Sequence, residues 1–393
     1  MKKQIVLATI ATLATGSAYA TKARMNALGQ AQDRGSFYIN DTRNVFRNAA
    51  RINQTNNYAV TEWGDTAATN TNAEGGFFKN QGSFSYGVYL GSDVTDQDFG
   101  TVSNGYADGL AGTTTGDTYG NANFLDRGND LDLFFGGDMG VEWGARLHYA
   151  NAKSEPGAPG ATEQKNSTLE LGLGMVMGDL NAYVNYTLKD EAEYDGTNAG
   201  SVIENDGTMN LGVGYKWMDY TFFVDYDKKG LEYVASTGTA AQTTEQSVLT
   251  VGAGYTKEIS STARLFTDVS FVRTSAEDSS ATVNDNVEYD KSELPLTVGF
   301  EADATSWLTL RGSISQNIFI NSFTSKAAGG TVENKGTLAN STDVQAGATL
   351  NFGKLMIDGM IGTNGTGGTA YAGDRGVLDT DRLLTRVAVH YWF

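Results

Sequence analysis

The chain ends in LLTRVAVHYWF (residues 383–393), and this stretch decides the fold. In a β-strand, side chains two positions apart share a face, because successive side chains point to opposite sides of the sheet. The face that includes the last residue is apolar at all but one position: Phe393, Tyr391, Val389, Val387, Thr385 and Leu383. The opposite face carries Arg386 and His390. The stretch therefore predicts a two-faced strand at the very end of the sequence.

A final strand of this kind is typical of a barrel in the bacterial outer membrane. Such a strand closes the cylinder, presents apolar side chains to lipid and places aromatic rings at the bilayer interface. It resembles the signal by which barrel-assembly machinery recognises outer-membrane proteins, and the residues we assign to that signal are Val387, Val389, Tyr391 and Phe393. The alternative is an ordinary amphipathic edge strand, so the rest of the chain must decide.

Residues 1–20 have the three parts of a secretory signal peptide. A basic start, Met1-Lys2-Lys3, precedes an apolar run over 5–13 that is too short to span a bilayer. Ala18-Tyr19-Ala20 fits the small-x-small cleavage site, so we expect the mature chain to begin at Thr21. The sequence contains no cysteine, which excludes disulfides, thiolate chemistry and a lipid-modified cysteine.

The composition favours pleated strands over helices. The chain has 48 Gly, 19 Tyr and 18 Phe but only 3 Pro. The mean hydropathy of −0.32 suits a barrel, because half of each strand faces water. The formal net charge of −18 argues against nucleic acid as a partner.

From residue 81 onward the sequence repeats one pattern. Segments of about ten residues alternate between apolar and polar with a period of two: Leu211, Val213, Tyr215 and Trp217 oppose Asn210, Gly212, Gly214 and Lys216. Short turns, such as 178–179 and 353–354, alternate along the chain with long polar segments, such as 92–130. Short periplasmic turns and long extracellular loops are the usual asymmetry of outer-membrane barrels.

The strand count predicts sixteen strands. Fourteen segments alternate clearly: 82–91, 131–138, 140–150, 167–177, 180–189, 208–217, 219–227, 246–257, 262–273, 293–302, 306–317, 342–352, 354–362 and 383–393. Two weaker segments, 56–64 and 73–79, raise the number to sixteen and keep it even. We therefore predict an all-β fold, a closed antiparallel transmembrane β-barrel over residues 54–393. Fourteen strands are the alternative.

Residues 21–53 precede the barrel and differ from it. The stretches ARMNALG (23–29) and DTRNVFRNAA (41–50) resemble the N-terminal region of fatty-acid-transporter-type barrels. In those barrels an Asn-Pro-Ala element plugs the lumen, whereas here the element reads Asn48-Ala49-Ala50 without proline. We predict a periplasmic or lumen-lining segment, and a plug stays open as an alternative.

Polar and charged residues on the inward faces predict a hydrated channel. Basic and acidic walls facing each other produce a transverse field that sieves polar solutes. The predicted pore-lining residues are Glu142, Arg146, His148, Glu170, Lys216, Asp225, Asp227, Arg264, Asp268, Glu301, Arg311, Asp358 and Arg386. Inward glycine pairs such as Gly172 and Gly174 lie within strands rather than at a strand-to-helix turn. We therefore expect them to let strands curve and to keep the lumen open, not to bind phosphate.

The segment 92–130 is the longest predicted loop, and it is acidic. If it folds inward, it would narrow the pore and favour cations; the alternative is a solvated surface loop. The carboxylates of this possible constriction loop are Asp93, Asp96, Asp98, Asp108, Asp117, Asp126 and Asp130. Their spacing matches no calcium-binding loop, and we expect neither a metal nor any other cofactor.

The barrel-level resemblance to Gram-negative porins covers nearly the whole mature chain. It implies a passive outer-membrane channel for small hydrophilic solutes and ions, mildly selective for cations, in contact with lipid and lipopolysaccharide, with a homotrimer as one arrangement. The alternatives are a structural surface barrel or a plugged transporter for hydrophobic compounds, which an inward apolar patch around Phe223, Phe266 and Trp307 would favour. Nothing in the sequence places a nucleophile beside either histidine, so we do not expect an enzyme.

Overall fold

The structure is a computed structural model of the chain. It describes residues 21–55, 57–64, 73–92, 105–111, 124–125, 129–157, 163–195, 200–234, 241–279, 286–326, 333–337, 342–361, 363–364, 377–378 and 386–393. The predicted signal peptide and most of the acidic segment 92–130 lie outside the described residues.

The described chain is dominated by β-strands. The strands of the first half are β1 (Tyr58–Trp63), β2 (Glu74–Asn80), β3 (Phe84–Leu90), β4 (Leu131–Asp138), β5 (Glu142–Ser154), β6 (Glu163–Met177), β7 (Leu180–Asp195), β8 (Ser201–Asn205) and β9 (Met209–Trp217). Those of the second half are β10 (Tyr220–Val234), β11 (Gln242–Ser260), β12 (Ala263–Asp278), β13 (Val287–Asp303), β14 (Leu308–Lys326), β15 (Glu333–Thr337), β16 (Asp343–Phe352), β17 (Leu355–Ile361), β18 (Thr363–Asn364), β19 (Val377–Leu378) and β20 (Arg386–Trp392).

Sixteen of these strands form one closed antiparallel barrel. Each strand pairs with its neighbours along the chain, and the ring closes where β1 pairs with β20 as well as with β2. At that seam Tyr58 lies opposite Phe78 on one side and Trp392 on the other. Two short strands lie beyond β9 and β16 on the loop side: β8 pairs with β7 and β10, and β15 pairs with β14. The prediction of sixteen strands is confirmed, and the fourteen-strand alternative is wrong.

The two faces of the wall differ as the alternation predicts. Side chains such as Val213, Tyr215 and Trp217 point outward and are exposed. The alternate side chains point inward, where Asn210 on the same strand is buried. Closing the ring satisfies the backbone hydrogen bonds of every strand, so an apolar outer band can face lipid without a free sheet edge.

Several strands are longer than the sequence suggested. β5 continues to Ser154 and β14 to Lys326, where the alternation ended the strands at 150 and 317. On neighbouring strands, charged residues at the same end of the barrel pair across strands, as in Lys165 with Glu193 and Arg273 with Asp290. The β5 extension, residues 151–154, is mostly polar and so has the composition of a loop. The β14 extension instead mixes polar residues with the exposed Phe319 and Ile320.

The described helices are short. They are α1 (Lys22–Ala27), α2 (Asn44–Arg47), a 3₁₀ helix (Ala49–Gln54) and α3 (Tyr106–Ala111). Of the helices in the described ranges, none has the length and apolar character needed to cross a membrane. The first three belong to residues 21–54, which we call the lumenal segment because they lie against the inward face of the barrel wall.

Candidate functional site

The lumenal segment packs on strands around the whole ring. Helix α1 contacts β14, β16, β17 and β20, whereas the 3₁₀ helix contacts β2 to β6. The side chains of Met25 and Leu28 are fully buried although they precede the first strand. The segment carries six basic residues against two acidic ones, in a chain whose net charge is −18. Its charge is therefore opposite to that of the barrel that surrounds it.

Two arginines of the segment bind carboxylates on two separate strands of the barrel, β13 and β2. Arg24 Nε lies 2.8 Å from Glu301 Oε2 on β13, and its Nη1 lies 2.7 Å from Asp41 Oδ2 within the segment. Arg43 Nη1 lies 3.3 Å from Glu74 Oε1 on β2. The side chains of both arginines are only 2% exposed. Buried arginines of this kind are held by pairing and by hydrogen bonds, because an unpaired buried charge is very costly.

Two further arginines bind carboxylates of β10. Arg47 Nη1 lies 2.6 Å from Asp225 Oδ2 on β10, and its guanidinium stacks over the Phe37 ring, 4.5 Å from the centroid. Arg34 pairs with Asp227, two positions further along the same strand. The segment is thus fixed to widely separated parts of the wall.

Arg24 and the carboxylates around it change one another's pKa. Burial lowers the pKa of the Arg24 guanidinium, but Glu301 and Asp41 outweigh this effect and raise it above its ordinary value. Burial raises the pKa of the Asp41 carboxyl to about 7, although Arg24 acts in the opposite direction. Asp358 contributes to the increase in the pKa of Asp41 as a nearby like charge.

The predicted pore-lining residues lie on the inward face, and many of them pair with the segment or with one another. Arg311 bridges Glu301 and Asp358, at 3.2 Å and 3.0 Å. Asp358 also accepts a hydrogen bond from Thr21 Oγ1 at 3.1 Å. Asp268 accepts a hydrogen bond from Tyr38 Oη at 3.1 Å. These side chains contact protein where the sequence analysis expected water.

A second buried group lies on β4 to β6. Arg146 Nε lies 2.7 Å from Asp132 Oδ1, and its Nη1 lies 2.6 Å from Glu170 Oε1. His148 Nδ1 lies 3.0 Å from the same Asp132 oxygen. The Arg146 guanidinium also faces the ring of Phe46, which belongs to the lumenal segment. The sequence analysis assigned Arg146, His148 and Glu170 to one wall, but it did not identify Asp132 as their partner.

Two of the remaining predicted residues, Lys216 and Arg264, line a cavity at the short-turn end. The cavity has a volume of about 530 Å³, and Arg51 of the segment also lines it. Glu142 lies nearby and accepts a hydrogen bond from Gln54 Nε2 at 2.5 Å. Arg386 is buried on the inward face of β20. This cavity is open at the end that the short turns identify as periplasmic.

Inward glycines form the surface on which the lumenal segment rests. A Cβ placed on Gly174 would overlap Asn48 Oδ1, and one placed on Gly144 would overlap the carbonyl of Ala49. A Cβ on Gly347 would approach the Ala27 Cβ to 2.9 Å. The sequence analysis expected such glycines to keep the lumen open. They instead make room for the close approach of the lumenal segment.

The Asn48-Ala49-Ala50 element makes specific contacts despite its missing proline. Asn48 Oδ1 accepts a hydrogen bond from Ala50 N at 3.0 Å and so caps the 3₁₀ helix. Its Nδ2 donates to two wall carbonyls, Met175 O and Ala182 O, each at 3.2 Å. The amide therefore joins the turn of the segment to β6 and β7.

The inward apolar residues contact the segment as well. Phe266 clusters with Met25, Leu28 and Ile39. Phe223 stacks on Phe37 with ring centroids 4.8 Å apart. Trp307 is half-exposed in the short turn between β13 and β14 and does not belong to these contacts.

Part of the acidic segment 92–130 lies within the extracellular end. Ala107 of α3 is buried against Ala276, Val287 and Tyr289, and Phe124 is buried against Ala192, Ile203 and Leu231. Tyr106 contacts both groups and so bridges the mouth. Its N–H donates to Thr244 Oγ1 at 2.7 Å, and the N–H of Ala107 donates to Asp278 Oδ1 at 3.1 Å. These bonds hold α3 against β11 and β12.

The predicted constriction carboxylates fall mostly outside the described residues. Those outside are Asp93, Asp96, Asp98, Asp117 and Asp126. Asp108 lies in α3, and Asp130 Oδ1 lies 3.8 Å from His148 Nε2. In the described ranges, no three His, Cys, Asp or Glu side chains are grouped so that they could hold a metal ion.

Comparison with known proteins gives weak likenesses to outer-membrane barrels. No protein-family model matches the sequence, and no curated protein matches it. Similar solved structures include a Pseudomonas aeruginosa FadL homologue, at 13% identity and a TM-score of 0.41 over 95% of this chain and 98% of that one. The toluene transporter TbuX of Ralstonia pickettii gives 11% and 0.37, over 96% and 98% of the two chains. The Vibrio cholerae outer membrane protein OmpT gives 11% and 0.34, over 86% and 96%.

Because these identities and TM-scores are low, the location of the protein is inferred from the geometry of its own barrel. The ring is closed and antiparallel, its outward side chains are apolar across a central band, and its inward side chains are polar. A closed barrel is the form in which β-strands can cross a bilayer, because it leaves no unpaired backbone groups in lipid. The chain is therefore a β-barrel protein of the bacterial outer membrane.

Proposed function

We propose that this barrel is an outer-membrane uptake protein whose lumen is plugged at rest by residues 21–54, and that it takes up small apolar or amphipathic molecules. The observation that carries the plug is the set of ion pairs from Arg24, Arg34, Arg43 and Arg47 to inward carboxylates on different strands. A segment held at several points around the ring obstructs the water-filled path that free diffusion needs.

Apolar residues on the inner wall at the extracellular mouth favour an apolar substrate. Ile203, Leu231 and Tyr233 line one side, and Val287 and Tyr289 line the other. Apolar and aromatic side chains facing inward above the membrane would hold an apolar solute out of water. The residues that now cover this surface belong to the extracellular segment, since Tyr106 and Phe124 pack on it.

Passage would then need two displacements in series. The segment around Tyr106 must leave the apolar wall so that a molecule can enter. The lumenal segment must then shift, and its ion pairs must be exchanged for water as it does so. The cavity lined by Arg51, Lys216 and Arg264 provides space at the periplasmic end into which a displaced side chain or a solute can move.

A passive channel for small hydrophilic solutes, mildly selective for cations, is the second candidate. The observation in its favour is the charge of both signs on the inward wall, including Glu142, Lys216 and Arg264 next to the open periplasmic cavity. Such a channel would conduct without any displacement of the lumenal segment, through space beside it.

Replacing Leu231 by asparagine should lower uptake of an apolar probe. Leu231 is 1% exposed in the mouth cluster, and an amide there makes the surface polar without altering the ion pairs of the lumenal segment. We expect a loss of about tenfold in the uptake of N-phenylnaphthylamine into liposomes that contain the purified barrel, since burying a leucine side chain is worth ~1.5–3 kcal/mol.

The matched control is Val234→Asn, three positions further along the same strand and outside this cluster. It should leave probe uptake unchanged. Equal uptake by Leu231→Asn and wild type, together with rapid liposome swelling in a small sugar such as arabinose, would instead support the hydrophilic channel.

A further inference from the structure

The first two residues of the expected mature chain contact two carboxylates of the barrel wall. Thr21 is fully buried. Its Oγ1 donates to Asp358 Oδ2 at 3.1 Å and accepts from Arg24 N at 2.9 Å. The next backbone N–H, that of Lys22, donates to Glu62 Oε2 at 2.8 Å. The start of the segment therefore lies between two wall carboxylates: the Thr21 hydroxyl contacts Asp358 of β17, and the Lys22 N–H contacts Glu62 of β1.

The ion pairs on this side contain more acidic than basic partners. In one group Lys22 and Arg43 pair with three carboxylates: Asp33, Glu62 and Glu74. In the other, Arg24 and Arg311 pair with three more: Asp41, Glu301 and Asp358. Within these pairs, each group has one carboxylate more than it has cations. The two groups meet at residues 21 and 22, which contact Asp358 and Glu62.

We infer that the α-amino group of Thr21, freed when residues 1–20 are removed, is a structural cation of the lumen. A protonated amine at this position adds one positive charge between the two groups and supplies hydrogen-bond donors to the carboxylates that Thr21 and Lys22 already contact. Buried carboxylates are stable only when paired, so this charge stabilises the docked segment.

Closure of the barrel is thereby coupled to processing. While residue 20 is still attached, the nitrogen of Thr21 is an uncharged amide, and twenty further residues must leave a buried site. The lumenal segment docks fully only after cleavage produces the ammonium group. This inference rests on the proposed plug, since it assigns a further group to the same docked segment.

The test measures the reactivity of the α-amine in the processed protein. The barrel is purified from outer membranes in detergent, its N-terminus is identified by mass spectrometry, and an acylating reagent is applied at neutral pH. We expect acylation of the Thr21 amine to be at least about tenfold slower in the folded than in the denatured protein, because burial protects it. The exposed amine of Lys153 serves as the internal standard.

A variant with Gly-Ser inserted after Ala20 moves the amine away from Asp358. It should react at the rate of an exposed amine and should conduct ions in a planar bilayer more than wild type, whereas Thr21→Ser, which keeps the amine and the hydroxyl, should match wild type in both. A mature N-terminus at another residue, a Thr21 amine as reactive as that of Lys153, or an inserted variant as closed as wild type would each overturn the inference. The last result would leave the proposed plug intact, because only deletion of the whole segment tests the plug itself.

Discussion

Replacing Gly174 by alanine should make a closed barrel conduct ions. The new Cβ would overlap Asn48 Oδ1 and come within 2.9 Å of Ala50 N, so the turn that joins the lumenal segment to β6 must move. Overpacking of this kind costs ~1–3 kcal/mol, which shifts the ratio of docked to undocked segments by about five- to 150-fold. The measurement is the conductance of the purified variant in planar bilayers, compared with wild type.

Gly299→Ala is the matched control, because Gly299 also faces inward but its added Cβ would meet no atom closer than 3.5 Å. It should remain as closed as wild type. Gly144→Ala tests the same contact from the next strand, where the Cβ would overlap the Ala49 carbonyl. Barrel integrity is checked by the heat-dependent mobility of the folded proteins on gels. If folded Gly174→Ala and Gly144→Ala were both as silent as wild type, the contact with Asn48-Ala49-Ala50 would not hold the segment in place.

Replacing Arg24 by alanine should destabilise the docked segment strongly. The substitution leaves Glu301 and Asp41 buried without their main cation, and losing one partner of a buried ion pair costs about 3–5 kcal/mol. The barrel wall keeps its backbone pairing, so we expect undocking of residues 21–54 rather than global unfolding. Trypsin should then cleave the segment after Arg34, Arg43 or Arg47 far faster than in wild type.

Lys153→Ala is the control for this second experiment. Lys153 pairs with Glu155 on the exposed part of β5, and exposed ion pairs contribute little to stability. Cleavage of the lumenal segment in this variant should be as slow as in wild type, and in Arg24→Lys it should lie between wild type and Arg24→Ala. A wild-type rate of cleavage in Arg24→Ala would contradict the role of the Arg24 pairs in holding the segment.

The alternation of residues was sufficient to predict the barrel, because a membrane imposes the period of two on every spanning strand. It predicted the inward position of residues such as Glu301 and Asp358 for the same reason. The alternation did not predict where β5 and β14 end, because their last residues lie above the apolar band, where no lipid imposes an apolar outer face. The first and last strands of the barrel, β1 and β20, pair at the seam. Only the even number of strands had indicated this pairing.

The contents of the lumen were harder to predict, because they depend on contacts between residues far apart in sequence. Arg24 and Glu301 are 277 positions apart, and no periodicity relates them. The inward wall of a hydrated pore and that of a filled barrel have the same alternation, so the pattern could not separate an open lumen from one occupied by residues 21–54. Two features bore on this question: the basic character of that segment and the inward glycines that face it.

The most direct test of a plugged barrel is the conductance of wild type beside a variant that lacks residues 22–54 and retains Thr21 and the barrel from 55 onward. Both proteins are purified folded and recorded in planar bilayers under identical salt and voltage. A lumen closed by the N-terminal segment predicts a nearly silent wild type and large stepwise conductance in the deletion variant. Equal conductance of the two proteins would contradict it.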